Sequence, residues 1–402
     1  MRFFIILGLF CSLPFGICAE TLTLDKALAS AFIHSPFVSE LQKNRLNTFG
    51  AETDDTALLS PELEWEYDVD SHSSDISFTQ PLRLSDLTLT RFDYKKLLET
   101  MNRQEERLDA LRLYHRITLL YCETFLAQEE LKYTLLNQAY LEKANETVTR
   151  SLNRNGISKT EAALLKADTM TVREEAAAQK WHKQKIFLDF GQQIGLSNDE
   201  LTLEPPPRIQ IKATLKQVLE TAQNQPSYQY MLNLQEQQAA KKLSIAKQDA
   251  YFPILEPKIK YGYDNEENQD SWQAGLTLTI PLWNHSNGRI KALKAEEAWI
   301  KTQQRNLEKV GFETLIKNHY QTAQRLSQRA ETYFKEILPL YEKSIAETEE
   351  AFNKGEASVL VVWQAKEKWT SAQTAALLAL KEAYEAKAVL EIYIGSRLED
   401  IQ

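Results

Sequence analysis

From Pro61 to Val69 the chain alternates strictly: Leu63, Trp65, Tyr67 and Val69 are apolar, and Glu62, Glu64, Glu66 and Asp68 between them are acids. A period of two predicts a strand with one apolar face and one wetted face. After a polar break, Asp75 to Leu84 reads as the return strand of a hairpin. A second run repeats the pattern, with Ile259, Tyr261 and Tyr263 alternating with Lys258, Lys260 and Gly262. Beyond a polar turn, Trp272, Ala274, Leu276, Leu278, Ile280 and Leu282 alternate with Ser271, Gln273, Gly275, Thr277, Thr279 and Pro281. The expectation is four strands in two hairpins, at about 61–84 and 255–283. A lone hairpin is marginal in water. Each hairpin therefore either packs on its own helices or meets copies of itself.

Between the hairpins the apolar period lengthens to three or four. Tyr94, Leu97, Leu98, Met101, Leu108, Leu111, Tyr114, Ile117, Tyr121 and Phe125 predict one long helix from Leu87 to Asn155, returning through 158–194. The stretch from Gly288 to Lys354 predicts a second, bent at Pro339 and returning through 358–394. Helices of this length reach on the order of 100 Å and bury their stripes only by packing as coiled coils. Gly156 and Gly355 mark the turns as helix C-caps, and Ser158 and Ser358 are placed to cap the returning helices.

These elements form one unit written twice. A short amphipathic helix stopped before a proline, Leu24 to Pro36, answers Leu215 to Pro226, and Ile194-Gly195 answers Ile394-Gly395. The first repeat spans 20–203, with its tip at about 155–158. Glu204 and three prolines open a stiff linker at 204–212. The second repeat spans 213–396, with its tip at about 354–358, and 397–402 is a tail.

Composition narrows the function classes. A hydrophobic fraction of 43% supports buried cores and excludes general disorder. A formal charge of −9 without a basic run excludes nucleic acid as a partner. The six His are scattered, the 12 Gly form no phosphate-binding loop, and no catalytic constellation occurs. No enzyme activity, cofactor or metal site is expected. Arg2, the apolar run Phe3 to Phe10 and Ala19 before Glu20 describe a secretory signal peptide over 1–19. Lipidation at Cys18 is the open alternative. Cleavage after Ala19 leaves Cys122 alone, so no internal disulfide forms. No later stretch suits a transmembrane helix. Any membrane crossing is made by strands, and the aromatic residues of the hairpins suit interfacial girdles.

The doubled plan of helix, hairpin and tip-turned helices, over roughly 22–396, resembles the TolC-type outer membrane factor family. Pro61 to Glu64, Ile76 to Leu84, and Ile337 to Lys343 with Phe352 to Gly355 and Ser358 resemble its CzcC-like heavy-metal efflux branch. The resemblance implies a mainly α chain with a transmembrane β part. Three copies would close a 12-stranded β-barrel in the outer membrane, continued by a 12-helix periplasmic α-barrel. It implies a passive exit duct of a tripartite export system, with heavy-metal cations as a cargo class. The partners implied are a homotrimer, a periplasmic adaptor, an inner-membrane pump and outer membrane lipid. On that plan Leu63, Trp65, Tyr67, Val69, Tyr261, Trp272, Leu276 and Leu278 face lipid. Glu62, Glu64, Glu66, Asp68, Lys258 and Lys260 face a mildly cation-favouring lumen. Asn155, Gly156, Ser158, Lys354, Gly355 and Ser358 form the tips that meet the adaptor. Acids that line the tip gate elsewhere in the family fall, by spacing from Gly355, at Val361 and Gln364 here. The competing reading is a soluble periplasmic coiled-coil adaptor or scaffold, whose hairpins pack on its own helices.

Overall fold

A computed structural model describes residues 21–54, 59–69, 73–152, 159–196, 201–224, 228–264, 269–281 and 287–401. The segment expected to be a signal peptide, 1–19, and the expected tip residues Asn155, Gly156 and Ser158 lie outside them. The first repeat holds β1 (Thr21–Leu22), α1 (Leu24–His34), α2 (Pro36–Asp54), β2 (Glu62–Asp68), β3 (Ser73–Thr79), β4 (Leu82–Arg83), α3 (Leu89–Leu152) and α4 (Lys159–Ile194). After β5 (Thr202–Leu203) the order recurs as α5 (Leu215–Asn224), α6 (Tyr228–Tyr251), β6 (Ile254–Asp264), β7 (Gln269–Thr279), α7 (Asn287–Val310), α8 (Phe312–Thr332), α9 (Leu338–Asn353) and α10 (Val359–Ile394). The duplicated helix, hairpin and helical-hairpin unit is thus the fold.

Local chemistry sets the element ends. Thr23 caps α1 by accepting from the Lys26 amide at 3.3 Å. Thr214 and Gln217 form a reciprocal capping box at the start of α5, with Thr214 N donating to Gln217 Oε1 at 2.9 Å. The C-termini of α4, α9 and α10 all end in the same motif. Gly195, Gly355 and Gly395 adopt φ of 70°, 78° and 71°. The next amide reaches back to Gly191, Ala351 or Glu391.

Two expectations are corrected. The first return strand is not continuous to Leu84. Pro81 has no N–H for the ladder, so pairing stops after β3 and resumes as the two-residue β4. Among the described residues the main sheet accordingly has five strands, not four. The second long helix is also not a single bent rod. It breaks at Gly311, whose φ is 80°, and a π turn at Tyr333–Ile337 precedes Pro339. Pro339 cannot donate to the helix and crowds the preceding turn, and the wider π turn accommodates it.

The chain forms two compact units, each drawing on both repeats. One comprises Met1–Pro36, Tyr114–Gln210 and Leu326–Glu385. Its core runs from Leu141, Ala144 and Val148 of α3 against Leu165 and Val172 of α4, to Leu338 of α9 against Ala372 and Ala376 of α10. The linker crosses it as a laced strap. Tyr121 donates to Glu204 O at 2.7 Å, Tyr384 to Pro207 O at 2.5 Å, and Ser327 to Ile209 O at 2.8 Å. Burial pushes the nearby Cys122 thiol up to about 12, so it is protonated and unreactive at neutral pH.

The other unit comprises Phe37–Leu113, Ile211–Arg325 and Ala386–Gln402. Here Leu97, Met101 and Leu108 of α3 pack on Met231 and Leu234 of α6. Val218 and Ala222 of α5 pack on Ile316, Tyr320, Leu390 and Ile394. The five-stranded sheet belongs to this unit.

The caps give a direct test. A methyl group at Gly195 would lie 2.5 Å from the His34 side chain in a left-handed backbone, whereas one at Gly50 meets open space within a helix. Gly195→Ala is expected to cost at least about 1–3 kcal/mol. Gly50→Ala should add roughly 0.5–1 kcal/mol. Thermal unfolding of the two variants should therefore move in opposite directions.

Candidate functional site

Register decides which side chains share a face. β2 pairs β3, β3 pairs β6, and β6 pairs β7, all antiparallel, so that Trp65, Ile76, Tyr261 and Trp272 lie in one row across the sheet. Directly opposed residues point the same way. Leu63, Trp65, Tyr67, Tyr261, Trp272, Leu276 and Leu278 therefore share one face, with Val69 continuing the β2 alternation. Cross-strand pairing adds Ile76, Phe78 and Ile259. This face is bare in the chain: Leu63 is 76% exposed, Trp65 70% and Trp272 71%.

Glu62, Glu64, Glu66, Asp68, Lys258 and Lys260 come together on the opposite face. The lysines reach across strands. Lys258 Nζ lies 3.2 Å from Glu64, and Lys260 Nζ lies 2.6 Å from Asp75 and 3.9 Å from Glu66. Ser77 donates to Glu64 at 3.3 Å. Register also brings Asp75, Glu256 and Asp264 to this face, which alternation within β2 alone does not reveal. A side chain at Gly262 would strike the Asp75 carboxylate, so glycine there leaves room for the Lys260 pair. β7 contributes only Gln269, Ser271, Gln273, Gly275, Thr277 and Thr279 to this face. Among the described residues β2 and β7 form the two open edges.

A buried ionic knot holds the root of the sheet. Arg91 on α3, 3% exposed, contacts Asp86 at 2.9 Å and also pairs with Asp249 of α6. Ser85 donates to Asp249 at 2.6 Å, and Leu84 N donates to Pro253 O at 3.3 Å. These ties fix the exit of the first hairpin against the entry of the second.

In the unit without the sheet, α3, α4 and α10 enclose a cleft of about 540 Å³. Glu130, Asp168, Glu175 and Glu367 line it beside Tyr133 and Trp363. Burial holds the Glu130 carboxyl above the usual carboxylate range. At the second tip, Gly355 turns the chain, Lys354 pairs with Glu350, and Ser358 accepts weakly from Val361 N at 3.4 Å. Val361 and Gln364 are exposed there. Among the described residues no group of His, Cys, Asp or Glu is arranged for a metal ion, and no helix is long and apolar enough to cross a membrane.

The chain shares its fold with solved structures of outer membrane proteins. The outer membrane protein VceC of Vibrio cholerae superimposes with a TM-score of 0.67 at 14% identity, covering 93% of this chain and 96% of that one. The open-state MtrE outer membrane channel of Neisseria gonorrhoeae gives 0.65 at 15% identity, covering 94% and 90%. The CmeC outer membrane channel of Campylobacter jejuni gives 0.68 at 10% identity, covering 92% and 85%. No family model and no curated protein sequence matches the chain.

Two measurements test this geometry. Arg91→Met strips the half-buried Asp249 of its cation and leaves the buried Asp86 carboxylate with Arg83 alone, and should cost up to about 3 kcal/mol, read as a lower urea midpoint. Lys258→Met, in an exposed pair, should move the midpoint little. Glu130→Gln should stabilise the protein at pH 7, because the raised carboxyl is costly to ionise in the fold. That gain should vanish as the pH falls through the carboxylate range, where both states bind the proton.

Proposed function

We propose that the chain is a TolC-type outer membrane channel, the passive exit duct of a tripartite export system. The observation that carries this reading is the sheet itself, with a bare apolar face and two open edges in each chain. In water such a face would need a cover, and an open edge cannot stand in hydrocarbon. Three copies joined edge to edge, β2 of one beside β7 of the next, close a barrel with lipid outside and the acid-bearing face inside. The four long strands of each chain then supply twelve. At eleven residues, β6 and β7 match the ~9–11 residues of a tilted transmembrane strand.

The long helical hairpins continue as a periplasmic α-barrel, and the Gly355 turn with its counterpart at 155–158 meets an adaptor and, through it, an inner-membrane pump. Heavy-metal cations are the cargo class that the CzcC-like sub-patterns favour. The fold shared with VceC, MtrE and CmeC supports the reading.

Native mass spectrometry of the full chain extracted from outer membranes in detergent should give a trimer. A stable monomer would overturn the shared barrel. Release from the membrane by carbonate alone would favour the soluble scaffold instead.

A further inference from the structure

Resting on the channel reading above, we propose that Lys258 and Lys260 divide the lumenal wall into a neutral root and an acidic mouth, and that the mouth makes the pore cation-selective. The sequence gives an even ladder of four acids on β2. The sheet register redistributes that charge along the strand axis.

Reading the polar face from root to turn, Glu62 shares its row with Thr79, Lys258 and Gly275, and Glu64 shares its row with Ser77, Lys260 and Gln273. Each of these rows holds one acid and one ammonium group. The next row carries Glu66 and Asp75 with Gly262 and Ser271, and the last carries Asp68 and Asp264 with Ser73 and Gln269. Those two rows hold four carboxylates and no base of their own. Lys260 Nζ reaches up toward them, 2.6 Å from Asp75 and 3.9 Å from Glu66, so its single charge is shared between the Glu64 row and the row above. Glu256 lies one row below Glu62, opposite Thr277, and Arg83 lies one row further down, opposite Ile254, so the root of this face adds one acid and one base.

The excess acid is therefore gathered at the end of the sheet that carries both hairpin turns. β7 is uncharged there, since its lumenal residues are Ser271 and Gln269. In the closed trimer the mouth holds twelve carboxylates in three stripes, with a neutral strand between one stripe and the next. Rings of like charge set ion preference in wide pores. Screening confines their reach to about 10 Å at 0.1 M salt and 3 Å at 1 M.

Reversal potentials of the full-length trimer in planar bilayers under a KCl gradient test this. The wild type should favour K⁺. Glu66→Gln combined with Asp68→Asn should remove more than about half of the reversal potential. Glu62→Gln should leave it nearly unchanged, and Lys260→Gln should raise it. Wild-type selectivity should also fall when the mean KCl concentration is raised from 0.1 M to 1 M, a readout that needs no variant to fold. A non-selective or anion-selective wild-type pore, or a Glu62→Gln effect equal to that of the mouth pair, overturns the proposal while leaving the channel reading standing. A trimer that conducts no ions at all overturns both.

Discussion

Unsatisfied backbone is the constraint on which the rest of the structure depends. A strand at the edge of a sheet presents N–H and C=O groups that must find partners, and here the edges belong to strands whose side chains are apolar on one face. Water satisfies the edges but not Leu63, Trp65 and Trp272. Hydrocarbon satisfies those side chains but not the edges. On the channel reading proposed above, edge-to-edge closure with further copies in lipid meets both demands together. The ionic knot at Arg91, Asp86 and Asp249 fixes the two hairpins against each other within one chain.

The linker solves a related backbone problem inside the helical unit. Three consecutive prolines, Pro205 to Pro207, have no N–H groups, so this stretch presents acceptors only. The donors come from hydroxyls on three helices, Tyr121, Tyr384 and Ser327. Each covers a carbonyl that the strap's own backbone cannot satisfy. The stiffness of the linker thus lies as much in its lacing as in its prolines. Tyr320 continues the pattern in the other unit, donating to Ala213 O at 3.0 Å.

The fold was legible where a signal is local. Period-two alternation over Glu62–Val69 and period-3.6 stripes over α3 need no tertiary context, and Gly355 announced its cap because few other residues accept a left-handed backbone. Register was not legible. Whether Asp75 or Asp264 joins the face of Glu66 depends on turn geometry and on which strands become neighbours, and a slip of one residue reverses every face. The break at Gly311 was hidden for another reason. A single glycine in a helical pattern is usually tolerated, and only its φ of 80° shows that the second long helix is in pieces while α3 is not.

The lysine placement is informative because it adds little to stability. Exposed ion pairs contribute at most modestly, and salt screens them. Lys258 and Lys260 lie on a wetted face, so the fold would stand nearly as well with neutral residues in their place. A face built only for hydration would serve equally with serine and threonine, as the polar face of β7 does with Thr277 and Thr279. What the lysines change is the field. They cancel acid where the strands leave the helices and leave it where the hairpins turn, so the electrostatics of this sheet are set independently of its packing.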